Sequence, residues 1–240
     1  MCNEGCILFV AQQLSREDVA GKRVLELGSG GFGAGSLLES WHPQEYVGVD
    51  IAPGPGVDLV CNAEDLPTHF PESSFDVVLS TEMLEHVRDW RRVITGLKNV
   101  LRPGGRMVIT TRSQGYPFHA APHDYWRFEV EDMRRIFSDF ENVVVAADVQ
   151  EPGVFVSGDK PLVHSKPAAL ERIEIFSMVM NRRTGSIPLG PVGRIRSLRL
   201  VWSGRARQTA RIITETLRGR PPGIRFQVDI GHRSPRQKGS

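Results

Sequence analysis

The apolar residues of this chain fall into short continuous runs and into stretches with helical spacing. Continuous runs are typical of strands buried on both faces, and they predict strands at 23–28, 46–50, 57–60, 75–80, 106–111, 142–149 and 153–158. Helical spacing predicts helices at 6–14, 34–41, 88–101 and 129–138. The pattern is clearest in the third helix, whose apolar side carries Trp90, Val93, Ile94, Leu97, Val100 and Leu101.

The order of these elements predicts the architecture. Strands that alternate with helices need parallel pairing and helical crossovers, whereas the short connection Glu151-Pro152-Gly153 makes the last two strands an antiparallel hairpin. The expected fold is α/β: a doubly wound, three-layer, Rossmann-like seven-stranded sheet with a C-terminal hairpin. Ligands of such folds bind beyond the carboxyl ends of the central strands.

Composition divides the 240 residues into unequal parts. Residues 1–181 carry 16 Lys and Arg against 26 Asp and Glu, whereas residues 182–240 carry 14 against 2. We therefore expect a domain at 1–160 with a short N-terminal helix over the ligand, a C-terminal helix within 161–183 and a basic Gly/Pro/Arg-rich tail at 184–240. The helix is predicted over Ala168 to Met180 from the spacing of Leu170, Ile173, Phe176 and Val179 or Met180.

The basic tail allows two interpretations. Residues 205–217 have the spacing of a basic amphipathic helix that would bind nucleic acid, an anionic membrane surface or an acidic partner. The favoured alternative is a solvated, partly disordered extension that balances an acidic domain.

Several classes of protein fit the sequence poorly. No apolar run approaches the roughly 18–20 residues that span a bilayer, and no signal peptide is evident, so the expected location is the cytoplasm. Three cysteines in no C-x-x-C pattern indicate reduced thiols and no metal site.

The candidate chemistry begins where the first predicted strand stops at Gly28-Ser29-Gly30. A strand, a glycine-rich turn and a helix opening present backbone N–H groups to a nucleotide-like ligand, and glycines let that ligand approach closely. An acidic residue, Asp50, ends the next strand, and its paired oxygens suit the two hydroxyls of a ribose.

Together, the motifs resemble those of the class I S-adenosylmethionine-dependent methyltransferases, over about residues 20–160. Each motif is weak alone, but five occur in the order of that family, at Glu26–Gly30, Asp50, Asn62–Pro67, Phe75–His86 and Leu101–Gly105. The resemblance implies S-adenosylmethionine as cofactor, bound by Glu26, Gly28, Ser29, Gly30, Asp50, Ile51, Asn62, Ala63, Glu64 and Thr81.

Two positions depart from the family pattern. Phe32 stands where the third glycine is usual, so either Gly31 or Gly33 contacts the ligand. Asn62 stands where the family often has Asp, and its carbonyl accepts from the adenine amino group without the charge.

Candidate catalytic residues lie in two later segments. His86 follows the fourth strand, and His123 follows the fifth beside Asp124; both are candidate bases because the pKa of histidine lies near neutrality. For His86, helix capping and packing is an equal alternative. The acceptor side is expected to include His119, Tyr125, Trp126 and Arg127, with Arg127 holding a substrate carboxylate or phosphate; the alternative for the aromatic residues is a small satellite core.

These features favour a methyltransferase that acts on a hydroxyl or amine of a small molecule. Because positioning alone accelerates methyl transfer, a base is not obligatory. The alternatives are an RNA methyltransferase that uses the basic tail and a non-catalytic methyltransferase-like scaffold; a nicotinamide oxidoreductase is the weakest.

Overall fold

The protein is described by a computed structural model that covers residues 3–30, 34–120, 122–163 and 167–188. The predicted α/β fold with a seven-stranded sheet is confirmed, and a separate three-stranded sheet accompanies it. The strands are β1 Arg23–Leu27, β2 Glu45–Asp50, β3 Leu59–Val60, β4 Phe75–Thr81, β5 Leu101–Arg112, β6 Trp126–Arg127, β7 Glu141–Ala147, β8 Gly153–Asp159, β9 Ile175–Ser177 and β10 Arg182–Thr184.

Six α-helices and three short 3₁₀ turns connect the strands within these described residues. The helices are α1 Glu4–Gln13, α2 Arg16–Val19, α3 Gly35–Ser40, α4 Leu66–His69, α5 Trp90–Val100 and α6 Val130–Ile136. The 3₁₀ turns are Ala63–Asp65, Leu84–His86 and Leu170–Arg172.

The large sheet has the strand order β3-β2-β1-β4-β5-β8-β7. Strands β1 to β5 pair in parallel, whereas β8 is antiparallel to both β5 and β7. The chain winds outward from β1 to β3 and then returns to place β4 on the other side of β1. The connections that follow β1 and β4 therefore lead away in opposite directions and leave a crevice at the carboxyl ends of these two strands. This crevice is the usual ligand position in such sheets.

Alternate residues of β1 and β4 pack in two hydrophobic cores, one on each face of the sheet. In β1, Val24 joins the core with α1 and α3, whereas Leu25 and Leu27 join the core with α5 and α6. Strand β4 divides in the same way, with Val77 on one face and Val78 on the other. This double burial explains why the strands read as continuous apolar runs.

The sequence of helix α5 explains where this helix begins and ends. The side chain of Asp89 accepts a hydrogen bond from the Arg92 amide at 3.1 Å and caps the first turn. The predicted apolar side is buried from Trp90 to Val100. Leu101, predicted as the last helical residue, instead begins β5.

Helix α1 confirms the predicted N-terminal helix but not its predicted place over the ligand. Its buried residues Cys6, Phe9 and Val10 pack on the sheet, and the rings of Phe9 and Phe155 lie 5.2 Å apart between centroids. Within the described residues, α1 contributes nothing to the cavity discussed below.

The predicted helix over Ala168 to Met180 is wrong. The segment contains a 3₁₀ turn, strand β9 and a turn that leads into β10. Strand β9 pairs antiparallel with both β6 and β10. Ile173, Ile175 and Val179 are buried in the same core as α5, so this segment packs on the α/β domain.

Two cross-strand neighbours, Arg106 of β5 and Asp159 of β8, provide a test of pH-dependent stability. Arg106 donates two hydrogen bonds to the carboxylate of Asp159, at 2.7 and 3.0 Å, and lowers the pKa of Asp159. A carboxylate with a lowered folded-state pKa stabilises the protein above its unfolded pKa, and this contribution disappears as the pH falls through the folded value.

We therefore expect Asp159→Asn to cost up to about 1 kcal/mol at pH 7, because the pair is partly exposed. The difference in unfolding free energy between wild type and variant should shrink as the pH falls below about 4. Urea unfolding at a series of pH values measures it, and a difference that grows on acidification would contradict this assignment.

Some sequence predictions concern residues outside the described ranges. These are the choice between Gly31 and Gly33 beside Phe32, and the tail from residue 189 onward, including the basic helix at 205–217. In the part of the chain that the structure describes, no helix has the length and apolar character needed to cross a membrane.

Candidate active site

A cavity of about 560 Å³ opens at the carboxyl ends of β1, β2 and β4, where the topology predicts a ligand site. Its volume lies within the range typical of small-molecule and cofactor sites. The walls come from four segments of the chain: Leu27, Gly28 and Gly30; Asp50, Ile51 and Cys61–Glu64; Thr81–Met83 and His86–Arg88; and Pro122, His123 and Tyr125.

Gly28 forms the tight turn beneath the cavity. Its φ of +85° lies in the left-handed region that favours glycine. A Cβ at this position would approach the Cβ of Met83 to 2.8 Å, so the glycine also lets the turn pass close to the segment after β4. The Gly28 amide donates to the Val49 carbonyl at 2.8 Å, which fixes the turn to β2.

Asp50 faces the glycine turn from the end of β2. Its Oδ2 accepts from the Gly30 amide at 3.0 Å, and its Oδ1 accepts from the Ala52 amide at 3.1 Å. A Cβ on Gly30 would lie 2.8 Å from Asp50 Oδ2, so the close approach requires glycine there. Asp50 lines the cavity, and its contact with the ribose hydroxyls stays a prediction.

Glu26 and Ser29 lie behind the turn rather than on the cavity wall. Glu26 is buried and accepts hydrogen bonds from the Ala34 amide, at 3.0 Å, and from the Tyr46 hydroxyl. It therefore ties β1 and β2 to the start of α3. Ser29 is also buried, and neither residue lines the cavity, so their predicted cofactor contacts stay predictions.

The segment after β3 also lines the cavity. Asn62 caps the following 3₁₀ turn by accepting from the Glu64 amide at 3.0 Å, and Asn62, Ala63 and Glu64 all line the cavity. Glu64 in turn accepts from the Asp89 amide at 2.9 Å. The structure thus brings the predicted adenine-side residues together with Asp50 and the glycine turn.

The segment after β4 is built around buried polar side chains. Glu82, with a φ of +53°, contacts Arg112 of β5, and burial together with the neighbouring Glu85 raises the pKa of Glu82 to about 9. Both side chains are almost completely buried, and the Arg112 guanidinium lies 3.9 Å from the centroid of the Tyr116 ring. This contact turns the chain after β4 so that Thr81, Glu82 and Met83 reach the cavity.

The histidines of the predicted acceptor side separate into different environments. His86 and His123 both line the cavity, and His86 Nδ1 contacts the backbone carbonyl of His123. Tyr125 lies beside them, with its ring centroid 5.2 Å from that of His123. Burial raises the pKa of Tyr125, so its phenol stays neutral near pH 7.

Asp124 does not support His123, contrary to the expected His–Asp neighbour pair. It is buried and faces His119, whose Nδ1 lies 3.3 Å from Asp124 Oδ2. His119 also approaches Glu85, with 3.5 Å between Nε2 and Oε1. His119 is absent from the cavity wall, so its predicted contact with substrate has no direct support.

Opposite charges shift the pKa values inside this cluster. Burial alone would lower the pKa of His119, but the carboxylates of Asp124 and Glu85 outweigh it and raise the pKa of His119 to about 9. Burial likewise opposes ionisation of Glu85, yet the imidazoles of His119 and His86 lower the pKa of Glu85 to about 2. Arg127 and His119 similarly keep the pKa of Asp124 below its usual range against the effect of burial.

Two predicted substrate residues are structural instead. Trp126 is completely buried in the core, and its indole N–H donates to the Val87 carbonyl at 2.9 Å. Arg127 is also buried and directs its guanidinium to Asp124, so it has no exposed charge for a substrate carboxylate or phosphate. Neither side chain lines the cavity, so the geometry does not support the predicted substrate roles of Trp126 and Arg127.

Several cavity residues were not singled out from the sequence. They are Leu27, Cys61, Glu82, Met83, Val87, Arg88 and Pro122. Most of them are neighbours of predicted site residues in the sequence. Their position at or after the ends of β1, β3 and β4 is the sequence feature that could have identified them. Burial and the nearby Asp65 raise the pKa of the Cys61 thiol, which keeps it protonated.

The tight turn at Gly28 carries a direct prediction. We expect Gly28→Ala to reduce stability by about 1–2 kcal/mol for the left-handed backbone alone, and further because the new Cβ displaces Met83. The displaced segment lines the cavity, so cofactor affinity should also fall. Thermal unfolding and calorimetric titration measure the two effects.

Gly21→Ala is a matched control for this change. Gly21 has a φ of +69°, but a Cβ there would meet no atom within 4 Å. It should show the backbone cost without any loss of cofactor affinity. Equal effects of both substitutions on binding would contradict the role assigned to Gly28.

The site fits a nucleoside-containing cofactor on its own features. Gly28 and Gly30 line the cavity with backbone alone, and Asp50 lines it beside them with a carboxylate. Thr81 Oγ1 is buried at the wall and, within the described residues, makes no hydrogen bond. A ligand with several polar groups would meet these acceptors and donors.

Comparison with known proteins agrees with the geometry. A family model described as a methyltransferase domain matches residues 25–109. The phthiotriol/phenolphthiotriol dimycocerosates methyltransferase of Mycobacterium tuberculosis is 40% identical over 116 residues, 43% of this chain and 42% of the relative. The fatty-acid O-methyltransferase of Mycolicibacterium smegmatis is 35% identical over 115 residues, 42% of this chain and 41% of the relative. The chain thus spans less than half the length of these curated relatives.

A solved structure supports the fold separately. A SAM-dependent methyltransferase from Archaeoglobus fulgidus superposes with a TM-score of 0.51 at 16% identity, over 64% of this chain and 98% of that one. The predictions of the family and of its cofactor are confirmed. Residues 25–109 match a methyltransferase-domain family, and the fold around them is that of the class I S-adenosylmethionine-dependent methyltransferases, whose methyl donor is S-adenosylmethionine.

Proposed function

We propose that this chain transfers a methyl group from S-adenosylmethionine to a hydroxyl or amine of a small molecule, with an oxygen of a lipid-like acceptor as the leading candidate. The observation that carries the proposal is the continuity of the cavity. It is lined by Gly28, Gly30 and Asp50, which form the donor end in this proposal, and by His86, His123 and Tyr125, which form the acceptor end. Donor and acceptor would therefore meet in one cavity.

Residues at the donor end hold the cofactor in this proposal. When bound, S-adenosylmethionine supplies an electrophilic methyl group on a sulfonium. Asp50 would accept from the two ribose hydroxyls, and Gly28 and Gly30 would bring backbone amides close. Asn62, Ala63 and Glu64 would border the adenine, and Ile51 and Thr81 would complete the wall.

At the acceptor end, orientation and proton removal are the tasks of the chain. Because methyl transfer depends on in-line positioning, the main contribution is to hold the acceptor oxygen or nitrogen toward the donor. His123 is exposed at the cavity, and its imidazole is the candidate base in this proposal. His86 is held against the His123 carbonyl and is less free to accept a proton.

The lipid-like acceptor rests on two supports. The names of the mycobacterial relatives specify a phthiotriol lipid and a fatty-acid oxygen as acceptors. In this chain, the apolar residues Leu27, Met83, Val87 and Pro122 line the cavity, as expected for an acceptor with an apolar body.

Transfer of label from methyl-labelled S-adenosylmethionine tests this proposal. Purified protein would be incubated with a hydroxylated lipid, a free fatty acid, a soluble phenol and a soluble amine. Label in an organic extract of the lipid reactions, absent with Asp50→Ala, is the expected result. Label only in the soluble amine would overturn the lipid assignment, and binding of cofactor without label in any acceptor would favour a non-catalytic protein.

A further inference from the structure

A cluster beside the cavity carries a feature that methyl transfer does not require. Glu85, His86 and His119 each offer one ligand atom, and these atoms all lie within 4.8 Å of one another. We propose that the three side chains form a binding site for a divalent transition metal at the acceptor side of the cavity.

The distances are close to those of a metal site. Glu85 Oε1 lies 3.5 Å from His119 Nε2 and 3.7 Å from His86 Nε2. Ligand atoms at roughly 2.0–2.1 Å from a tetrahedral Zn²⁺ are about 3.3 Å apart. Small rotations of the two imidazoles would therefore bring all three atoms into the first coordination shell.

The carboxylate oxygen at the centre of the cluster is buried and unsatisfied. The Glu85 side chain is completely buried, and its Oε2 accepts from the Thr111 hydroxyl at 2.8 Å. Its Oε1 makes no hydrogen bond to any residue in the described ranges, although both imidazoles are close. A buried oxygen without a hydrogen bond is costly, and a cation would satisfy it.

Outer contacts already orient both histidines. Nδ1 of His119 faces the carboxylate of Asp124 at 3.3 Å, and Nδ1 of His86 contacts the His123 carbonyl. Metal-binding histidines typically donate their second ring N–H to a carboxylate or a backbone carbonyl in this way. The Nε2 atoms of both rings are consequently the ones that approach Glu85.

The ligand types narrow the choice of metal. Two imidazoles and one carboxylate suit Zn²⁺, Fe²⁺, Mn²⁺ or Co²⁺, whereas Mg²⁺ and Ca²⁺ prefer oxygen ligands. Three protein ligands leave at least one position of the metal open. Because His86 lines the cavity, that position would lie near the acceptor. The sequence predicts no metal site because its cysteines form no C-x-x-C pattern. That argument concerns cysteine ligands only, whereas the site proposed here uses two histidines and a glutamate.

A proton on His119 is the competing explanation for the cluster. An imidazolium between Glu85 and Asp124 would balance the two carboxylates without any metal. Metal binding and protonation of the same nitrogen exclude each other, so the two explanations predict different outcomes when metal is offered.

Cobalt titration of the full untagged chain distinguishes these explanations. The protein would be dialysed against EDTA, freed of chelator and titrated with Co²⁺ alone, with visible absorption as the signal and Zn²⁺ as competitor. We expect one Co²⁺ per chain, the visible bands of a nitrogen- and oxygen-ligated ion, and displacement by Zn²⁺. His86→Gln, His119→Gln and Glu85→Gln each remove a direct ligand and should weaken binding by at least the roughly 10–100-fold that the loss of an outer-shell partner costs.

Two controls keep the result interpretable. His69→Gln removes an exposed histidine at the end of α4 and should leave Co²⁺ affinity unchanged. Circular dichroism would confirm folding; if the buried changes at Glu85 or His119 prevent it, His86→Gln on the cavity wall decides alone. Absence of Co²⁺ bands, or equal affinity in wild type and His86→Gln, would overturn the proposal and leave the proton as the explanation.

Discussion

Asp50→Ala should lower the affinity for S-adenosylhomocysteine at least about 100-fold. Each hydrogen bond to a charged group contributes about 1.5–3 kcal/mol, and the proposed role gives Asp50 two of them. A loss of about 3 kcal/mol corresponds to roughly 100-fold in affinity. The change also frees the Gly30 and Ala52 amides, which Asp50 now holds at 3.0 and 3.1 Å.

Two further substitutions distinguish a specific loss of S-adenosylhomocysteine binding from a general loss of folded structure. Asp50→Asn keeps the shape and one acceptor but loses the charge, so its affinity should lie between those of wild type and Asp50→Ala. Asp58 is a matched control, because it also accepts a backbone hydrogen bond, from Gly48 at 2.9 Å, but does not line the cavity. Asp58→Ala should bind with wild-type affinity. Unchanged binding in folded Asp50→Ala would contradict the assigned site.

Arg127→Met should reduce the free energy of unfolding by about 3–5 kcal/mol, the usual cost of breaking a buried ion pair on one side. Arg127 Nη2 donates to Asp124 Oδ2 at 2.6 Å, and the guanidinium also donates to the carbonyls of Tyr116, Pro117 and Trp126. Its removal leaves Asp124 buried with only His119 beside it. Urea unfolding measures the effect.

The stability cost of breaking a surface ion pair serves as the comparison for the buried pair of Arg127 and Asp124. Arg134 and Glu131 are mostly exposed, so Arg134→Ala should cost less than about 1 kcal/mol. Asp124→Asn in the Arg127→Met background should recover part of the loss, because it removes the unpaired charge. A substrate-binding arginine would behave differently: stability would hardly change, whereas KM for the acceptor would rise. That result would restore the role predicted from the sequence.

The sequence predicted most of the large sheet because its signals are local. Burial on both faces produces continuous apolar runs, and Gly28 and Asp50 follow their strands directly, so adjacency in the fold follows from adjacency in parallel strands. Gly28 and Asp50 therefore lie together at the cavity, as the sequence predicts.

The C-terminal segment shows where local patterns fail. Leu170, Ile173, Phe176 and Val179 have helical spacing, but Ile173 and Ile175 are β-branched and suit a strand when a partner is available. That partner is β6, almost fifty residues earlier in the chain, and no local pattern reveals the pairing. Tertiary context decided the structure.

The sequence also did not reveal how the charged side chains near the acceptor side pair with one another, because this pairing again depends on distant parts of the chain. His119, Asp124 and Arg127 looked like a functional loop because polar residues in loops often are. The structure buries Asp124 and Arg127 as a pair and brings Glu85 of an earlier segment to His119. Sequence alone does not indicate which charges neutralise one another, since the partner lies in a different part of the chain.

Calorimetric titration of the purified protein with S-adenosylmethionine and S-adenosylhomocysteine, and with NADH as the control, is the most direct measurement. The cavity, with Asp50 opposite Gly28 and Gly30, predicts one molecule of either sulfur ligand per chain at micromolar affinity and no binding of NADH. Folded protein that binds neither sulfur ligand, or that binds NADH in their place, would contradict the assigned cofactor site.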